Sequence, residues 1–115
     1  MAKRKLLFIC TANINRSRAA EDLFKNSEKY EARSAGFMMI SGRSGQVVTQ
    51  ELVNWADNIF VMDELLDGHL RKLKLGFNLS GKQVDVLNIT DMFDKEDPFL
   101  KNMLSDKLAR YGVRP

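Results

Sequence analysis

Leu6-Leu7-Phe8-Ile9-Cys10-Thr11-Ala12-Asn13-Ile14-Asn15-Arg16-Ser17 is the stretch that decides the fold. Its first five residues are a short, unbroken apolar run, the pattern of a strand covered on both faces. From Ser17 the period changes: Ala19, Ala20, Leu23 and Phe24 recur at helical spacing, with Glu21, Asp22 and Lys25 between them. Between strand and helix lies a C-x5-R-S turn. A connection of this length can wrap backbone N–H groups around an anion, with the helix N-terminus aimed at it. The positive end of a helix also favours the thiolate, which is the nucleophilic form of cysteine. Arg16 would offer a planar fork matching two oxygens of a tetrahedral anion, and Ser17 a hydroxyl for the sulfur. Asn13 is a residue that tolerates the left-handed backbone such a cradle often needs.

Downstream, the alternation continues. A second strand is expected near Glu31–Ser34, broken by Gly36, and Phe37–Gln46 reads as a loop. Thr49 caps a helix carrying Leu52, Val53 and Ala56, with Glu51 in its first turn. Asn58–Met62 is a buried strand, followed by a helix with Leu65, Leu66, His69, Leu70 and Leu73 on one stripe and Gly76 as its stop. Gln83–Ile89 supplies a fourth strand. Asp97-Pro98 starts the last helix, with a carboxylate at the N-cap and proline in the first turn; Phe99, Leu100, Met103, Leu104, Leu108 and Tyr111 make its apolar stripe. Strands alternating with helices predict right-handed crossovers: a three-layer α/β domain spanning residues 1–115, with helices on both faces of a parallel sheet. In such a sheet ligands bind beyond the carboxyl ends of the strands, where Cys10 lies.

Composition narrows the function. The 115 residues include 18 Lys and Arg against 15 Asp and Glu, an excess too small and too dispersed for a nucleic-acid partner. It suits a site for a small anion. No apolar run approaches the roughly 18–20 residues that span a bilayer, and the five-residue run after Lys3-Arg4-Lys5 is too short for an export signal. A cytoplasmic protein without membrane attachment is expected. One Cys and one His permit neither an internal disulfide nor a Cys/His zinc cage. The solitary Cys10 is either a buried filler or a nucleophile.

Four stretches resemble the low-molecular-weight protein tyrosine phosphatases. Phe8–Ser17 with Ala20-Glu21 is similar to that family's signature, and Arg33-Ser34-Ala35-Gly36 to its second strand and turn. Val48-Thr49 through Asp63-Glu64 keeps its register, and Asn88–Phe93 resembles the segment that holds its general acid. The resemblance implies a four-stranded sheet in the order 2-1-3-4 and hydrolysis of aryl phosphate monoesters through a phosphocysteine, without a metal. Cys10 would be the nucleophile and Arg16 the phosphate clamp. Thr11, Ala12, Asn13, Ile14, Asn15, Arg16 and Ser17 would bind the phosphate. Substrates would be phosphorylated protein or a small aryl phosphate, taken by a monomer or weak dimer. A non-catalytic module that binds phosphate or phosphoprotein on the same fold is the alternative; arsenate reduction and a phosphocarrier are further rivals.

Two aspartates compete for the acid. Asp97 is already explained as a helix cap, whereas Asp91 lies just past strand four with no such duty, so Asp91 is assigned. Phe93, Phe37 and Met39 are the candidate substrate rim, although the run Phe37-Met38-Met39-Ile40 reads slightly better as core. His69 is read as a satisfied, half-buried residue, and Trp55 receives no role. Departures from the family are Ala12 in place of Gly, Met92 in place of Pro, a short Gly36–Val48 segment, and Asn15 in place of a second loop Cys. Lacking that Cys, the nucleophile would have no disulfide partner to shield it from irreversible oxidation.

Overall fold

In the computed structural model, residues 3–40, 42 and 45–115 are described. Four parallel strands, β1 (Arg4–Cys10), β2 (Tyr30–Gly36), β3 (Asn58–Val61) and β4 (Gln83–Val86), form one sheet in the order β2-β1-β3-β4. Helices α1 (Arg16–Leu23), α2 (Gln50–Trp55), α3 (His69–Gly76) and α4 (Pro98–Ala109) connect and follow them. The sheet order and the helices on both faces are as the sequence leads one to expect.

The pleat explains the two cores. Leu6, Phe8 and Cys10 point to one face, where α1 contributes Ala19 and Ala20 and α4 contributes Leu100, Leu104 and Leu108. Leu7 and Ile9 point to the other, against Leu52 and Val53 of α2 and Leu73 of α3. Phe8 stacks between Phe24 and Phe60, with ring centroids 5.8 and 5.6 Å away. A strand with both faces covered must be apolar throughout, which is why the Leu6–Cys10 run shows no alternation.

Several expected boundaries move. The helix expected from Leu65 begins instead at His69: Gly68 turns left-handed at φ 64°, and Leu65 and Leu66 stand 88% and 75% exposed in the preceding loop. The Asp67-Gly68 dipeptide is the turn signal that overrides the leucine spacing. Strand four ends at Val86 rather than Ile89, because Asn88 adopts φ 60°. The chain nevertheless follows β3 further, with Leu87 N–H donating to Val61 O (2.9 Å) and Ile89 N–H to Met62 O (2.7 Å). Thr49 and Asp97 cap α2 and α4 as expected, accepting from the N–H groups of Leu52 (3.2 Å) and Phe99 (2.9 Å). On α4, however, Phe99 is exposed and Tyr111 lies beyond the helix end, also exposed, leaving Leu100, Leu104 and Leu108 as the buried stripe. Part of the expected Phe37–Gln46 loop, at residues 41, 43 and 44, lies outside the described residues. Met38, Met39 and Ile40 are exposed, contrary to a core reading, while Phe37 packs against the second core.

The end of β2 presses directly on the loop after β1. A Cβ placed on Gly36 would lie 2.6 Å from the backbone N of Asn13 and 2.7 Å from the carbonyl carbon of Ala12. Those are backbone atoms, so the loop itself would have to move. Gly36→Ala is therefore expected to cost about 1–3 kcal/mol of stability, the usual range for overpacking, and to weaken inorganic phosphate binding; unchanged melting and binding would show that the loop yields freely.

Candidate active site

The turn after β1 curls so that Cys10 closes one strand while Arg16 and Ser17 open α1. Asn13 takes φ 53°, the left-handed conformation anticipated for it, and Ala12 stays out of that region. The loop therefore completes its turn without the glycine usual at position 12, because Asn13 carries the positive φ.

Most of its polar side chains have hydrogen-bond partners. The Ser17 hydroxyl lies 3.0 Å from Cys10 Sγ, and its oxygen accepts a hydrogen bond from Asn13 Nδ2 (2.9 Å). With that lone pair used, the hydroxyl proton is left free to point at the sulfur. Asn13 Nδ2 also donates to Ser34 Oγ (2.9 Å), whose hydroxyl donates in turn to Glu21. Asn13 Oδ1 accepts from the N–H of Gln46 (2.9 Å). Thr11 O accepts from the N–H groups of Phe37 (2.7 Å) and Met38 (3.0 Å), anchoring the segment after β2. Ser34, Asn13, Ser17 and Cys10 form a buried hydrogen-bonded network that ends on the part-buried Glu21, an arrangement that rigidifies a site.

Arg16 is 1% exposed, and burying a guanidinium demands partners. Nη1 lies 2.9 Å from Asp67 Oδ2 and donates to Ile89 O at 2.8 Å. Nε has no hydrogen-bond partner among the described residues, and Asp91 Oδ1 lies 3.7 Å from it. A buried N–H without a partner is uncommon and marks a donor left open in this site.

A cavity of about 230 Å³ opens over these groups. The loop lines it with Cys10, Thr11, Ala12, Ile14, Asn15 and Arg16; Met38 and Ile40 form one wall, and Asp91 reaches in from the loop after β4. Asp91 is 60% exposed, whereas Asp97 spends its carboxylate on the α4 cap. Asn13 and Ser17 lie buried behind the cavity and support it rather than line it. The expected rim is displaced: Phe93 packs against the first core, Phe37 turns its ring towards His69 (centroids 5.6 Å apart), and Met39 points elsewhere. Phe37 is anchored inward against the second core, while Met38 and Ile40 line the cavity.

Three contributors escaped the sequence reading. Asp67 is the ion partner of Arg16 and had no motif beyond a turn dipeptide. His69 is fully buried and supports the loop. The N–H of Asp63 donates to His69 Nδ1 (3.0 Å), which places the proton of the neutral ring on Nε2, 2.9 Å from Thr11 Oγ1. Asp63 is the third: its carboxylate accepts from the N–H groups of Leu66 (2.8 Å) and Asp67 (2.9 Å), shaping the turn that presents Asp67. Burial pushes the Asp63 carboxyl up, but these N–H donors, with His69 and Arg16, hold it below its ordinary value. Trp55 is also less idle than expected, with the Arg33 guanidinium 4.2 Å above its ring.

The sequence model of the low molecular weight phosphotyrosine protein phosphatases matches residues 5–57, which carry the anion loop. Over those residues the chain is similar to this family. Among solved structures, a low molecular weight protein tyrosine phosphatase from T. tengcongensis is 21% identical, with a TM-score of 0.68 over 95% of this chain and 99% of its own. Vibrio vulnificus Wzb in complex with benzylphosphonate is 18% identical, with a TM-score of 0.68 over 96% of this chain and 97% of its own. A thioredoxin-dependent arsenate reductase from Corynebacterium glutamicum is 18% identical (TM-score 0.66), with 96% of this chain matched to 61% of that one. At these identities the likeness establishes a shared fold. No curated protein matches the sequence. Among the described residues, no helix is long and apolar enough to cross a membrane.

The buried imidazole has a measurable consequence. Burial first, and the Arg16 charge second, lower the His69 pKa from 6.5 to about 4. The folded state thus binds this proton less readily than the unfolded chain. Its contribution is fully present above pH 6.5 and is lost as pH falls towards 4, to a total of about 3 kcal/mol. Thermal melts should show this loss across that window, and His69→Gln should flatten it. An equal slope in the variant would remove His69 as the cause.

Proposed function

We propose that the chain is a cysteine-dependent, metal-independent phosphatase that hydrolyses aryl phosphate monoesters of the phosphotyrosine type. The reading rests on one observation above all: a buried Arg16 whose Nε is unpartnered in the same cavity as Cys10 Sγ and Asp91. Phosphate oxygens would take that N–H and the loop amides, bringing phosphorus over the sulfur.

Cys10 attacks as thiolate in line with the leaving oxygen; an S–P bond forms as the P–O bond breaks. Asp91, entering as the acid, gives its proton to the departing phenolate. As carboxylate it then takes a proton from a water that attacks phosphorus. The S–P bond breaks, inorganic phosphate leaves, and the Ser17 hydroxyl steadies the returning thiolate. Phosphorylated protein or a small aryl phosphate would supply the ester, with Met38 and Ile40 as an aliphatic wall beside the leaving group. A chain with one cysteine holds no second thiol for an internal arsenate-reduction relay. A pure binding module would need neither the Cys10–Ser17 contact nor a carboxylate facing it.

Hydrolysis of p-nitrophenyl phosphate in a chelator distinguishes the readings. Wild type should turn over and Cys10→Ser should not. Asp91→Asn should lower kcat roughly 100-fold or more, in the range of lost general-acid catalysis. Asp97→Asn should leave kcat near wild type. Phosphate binding without turnover in the wild type would favour the binding module, and a steep loss in Asp97→Asn would transfer the acid role.

A further inference from the structure

Asn15 is the N-cap residue of α1, a position where asparagine ordinarily folds its side chain back onto the first-turn amides. Here it makes no such cap bond. Its Oδ1 instead accepts from the backbone N–H of Lys95, 80 residues away, at 3.0 Å. Two things follow. The first-turn amides of α1 are not occupied by the Asn15 oxygen, so they stay available to an anion. The loop that carries Asp91 also gains a tether to the loop that carries Cys10.

That tether is the hydrogen bond that joins the two loops directly. The loop leaves the sheet at Ile89, held by Met62 and Arg16, and rejoins regular structure at the Asp97 cap. Between those ends, Phe93 packs against the first core and Lys95 supplies the polar anchor: its backbone bonds to Asn15, and Nζ lies 3.5 Å from Asp22 of α1. Asp91 itself is exposed and touches the site through a 3.7 Å approach to Arg16 Nε. An acid held so loosely depends on its loop for position, and a displacement of about 1 Å can cost 100-fold in rate.

We infer that Asn15 is a positioning residue for proton donation: by binding Lys95 N–H it holds the Asp91 loop over the leaving-group side of the cavity. The inference rests on Asp91 being the general acid. It distinguishes Asn15 from its neighbours in the loop, whose contribution is to hold phosphate.

The test is a leaving-group comparison with phenyl phosphate, which needs protonation, and 2,4-dinitrophenyl phosphate, which needs little. In Asn15→Ala, the loss of kcat on phenyl phosphate should exceed that on the dinitrophenyl ester by about tenfold. Asn15→Asp keeps the accepting oxygen and should restore the wild-type ratio, while its added charge weakens inhibition by inorganic phosphate. Equal losses on the two esters in Asn15→Ala, or a ratio in Asn15→Asp that stays as poor as in Asn15→Ala, would overturn the inference. Asp91→Asn run in parallel separates the two claims. If Asp91→Asn shows no excess loss on phenyl phosphate, the acid assignment fails and the Asn15 role falls with it. If it does and Asn15→Ala does not, only the Asn15 role is wrong.

Discussion

The guanidinium of Arg16 is the group around which the site is arranged. It is a full charge removed from water, tolerable only where opposite charge and carbonyl oxygen meet it. Asp67 comes from the loop after β3, and Ile89 O and Asp91 from the segment after β4. Because β1, β3 and β4 are neighbours in the sheet, the loops at their carboxyl ends converge on the same point. The sheet order is thus a precondition of the ion cluster, and the cluster ties three loops together.

A second constraint acts beneath it. Asn13, Ser17, Ser34 and His69 are buried polar residues, and each has found partners within the loop or directly behind it. Unpaired, each would cost about 1–3 kcal/mol. Paired, they leave the anion loop little freedom to rearrange, so its amides and the sulfur are held in position before a ligand arrives. The exception is Arg16 Nε, and an open donor in an otherwise satisfied network is a strong pointer to where an anion belongs.

Much of this was readable from residue order. The apolar Leu6–Cys10 run, the change to helical spacing at Ser17 and the Asp97-Pro98 cap each rest on a local rule, and each holds. Asn13 was legible for the same reason, since few residues accept a left-handed backbone. Leu65 and Leu66 misled because helical spacing says nothing about a Gly68 turn cutting the helix short. Phe93, Phe37 and Met39 misled because which face of a segment meets a cavity depends on the neighbour it packs against. Asp67 and His69 had no signal of their own: their partners, Arg16 and Thr11, are 51 and 58 positions distant.

Taken alone, then, residue order determined the alternation of strand and helix, the place of the Cys10–Ser17 turn between β1 and α1, and the choice of a capping duty for Asp97. Each of these is settled within a few residues, by period, backbone preference or capping chemistry. Folding decided which carboxylates face Arg16, that Met38 and Ile40 wall the cavity, and that Asn15 reaches Lys95 instead of its own helix. Those outcomes are contacts between distant segments, and only the packing of the sheet brings their partners within reach.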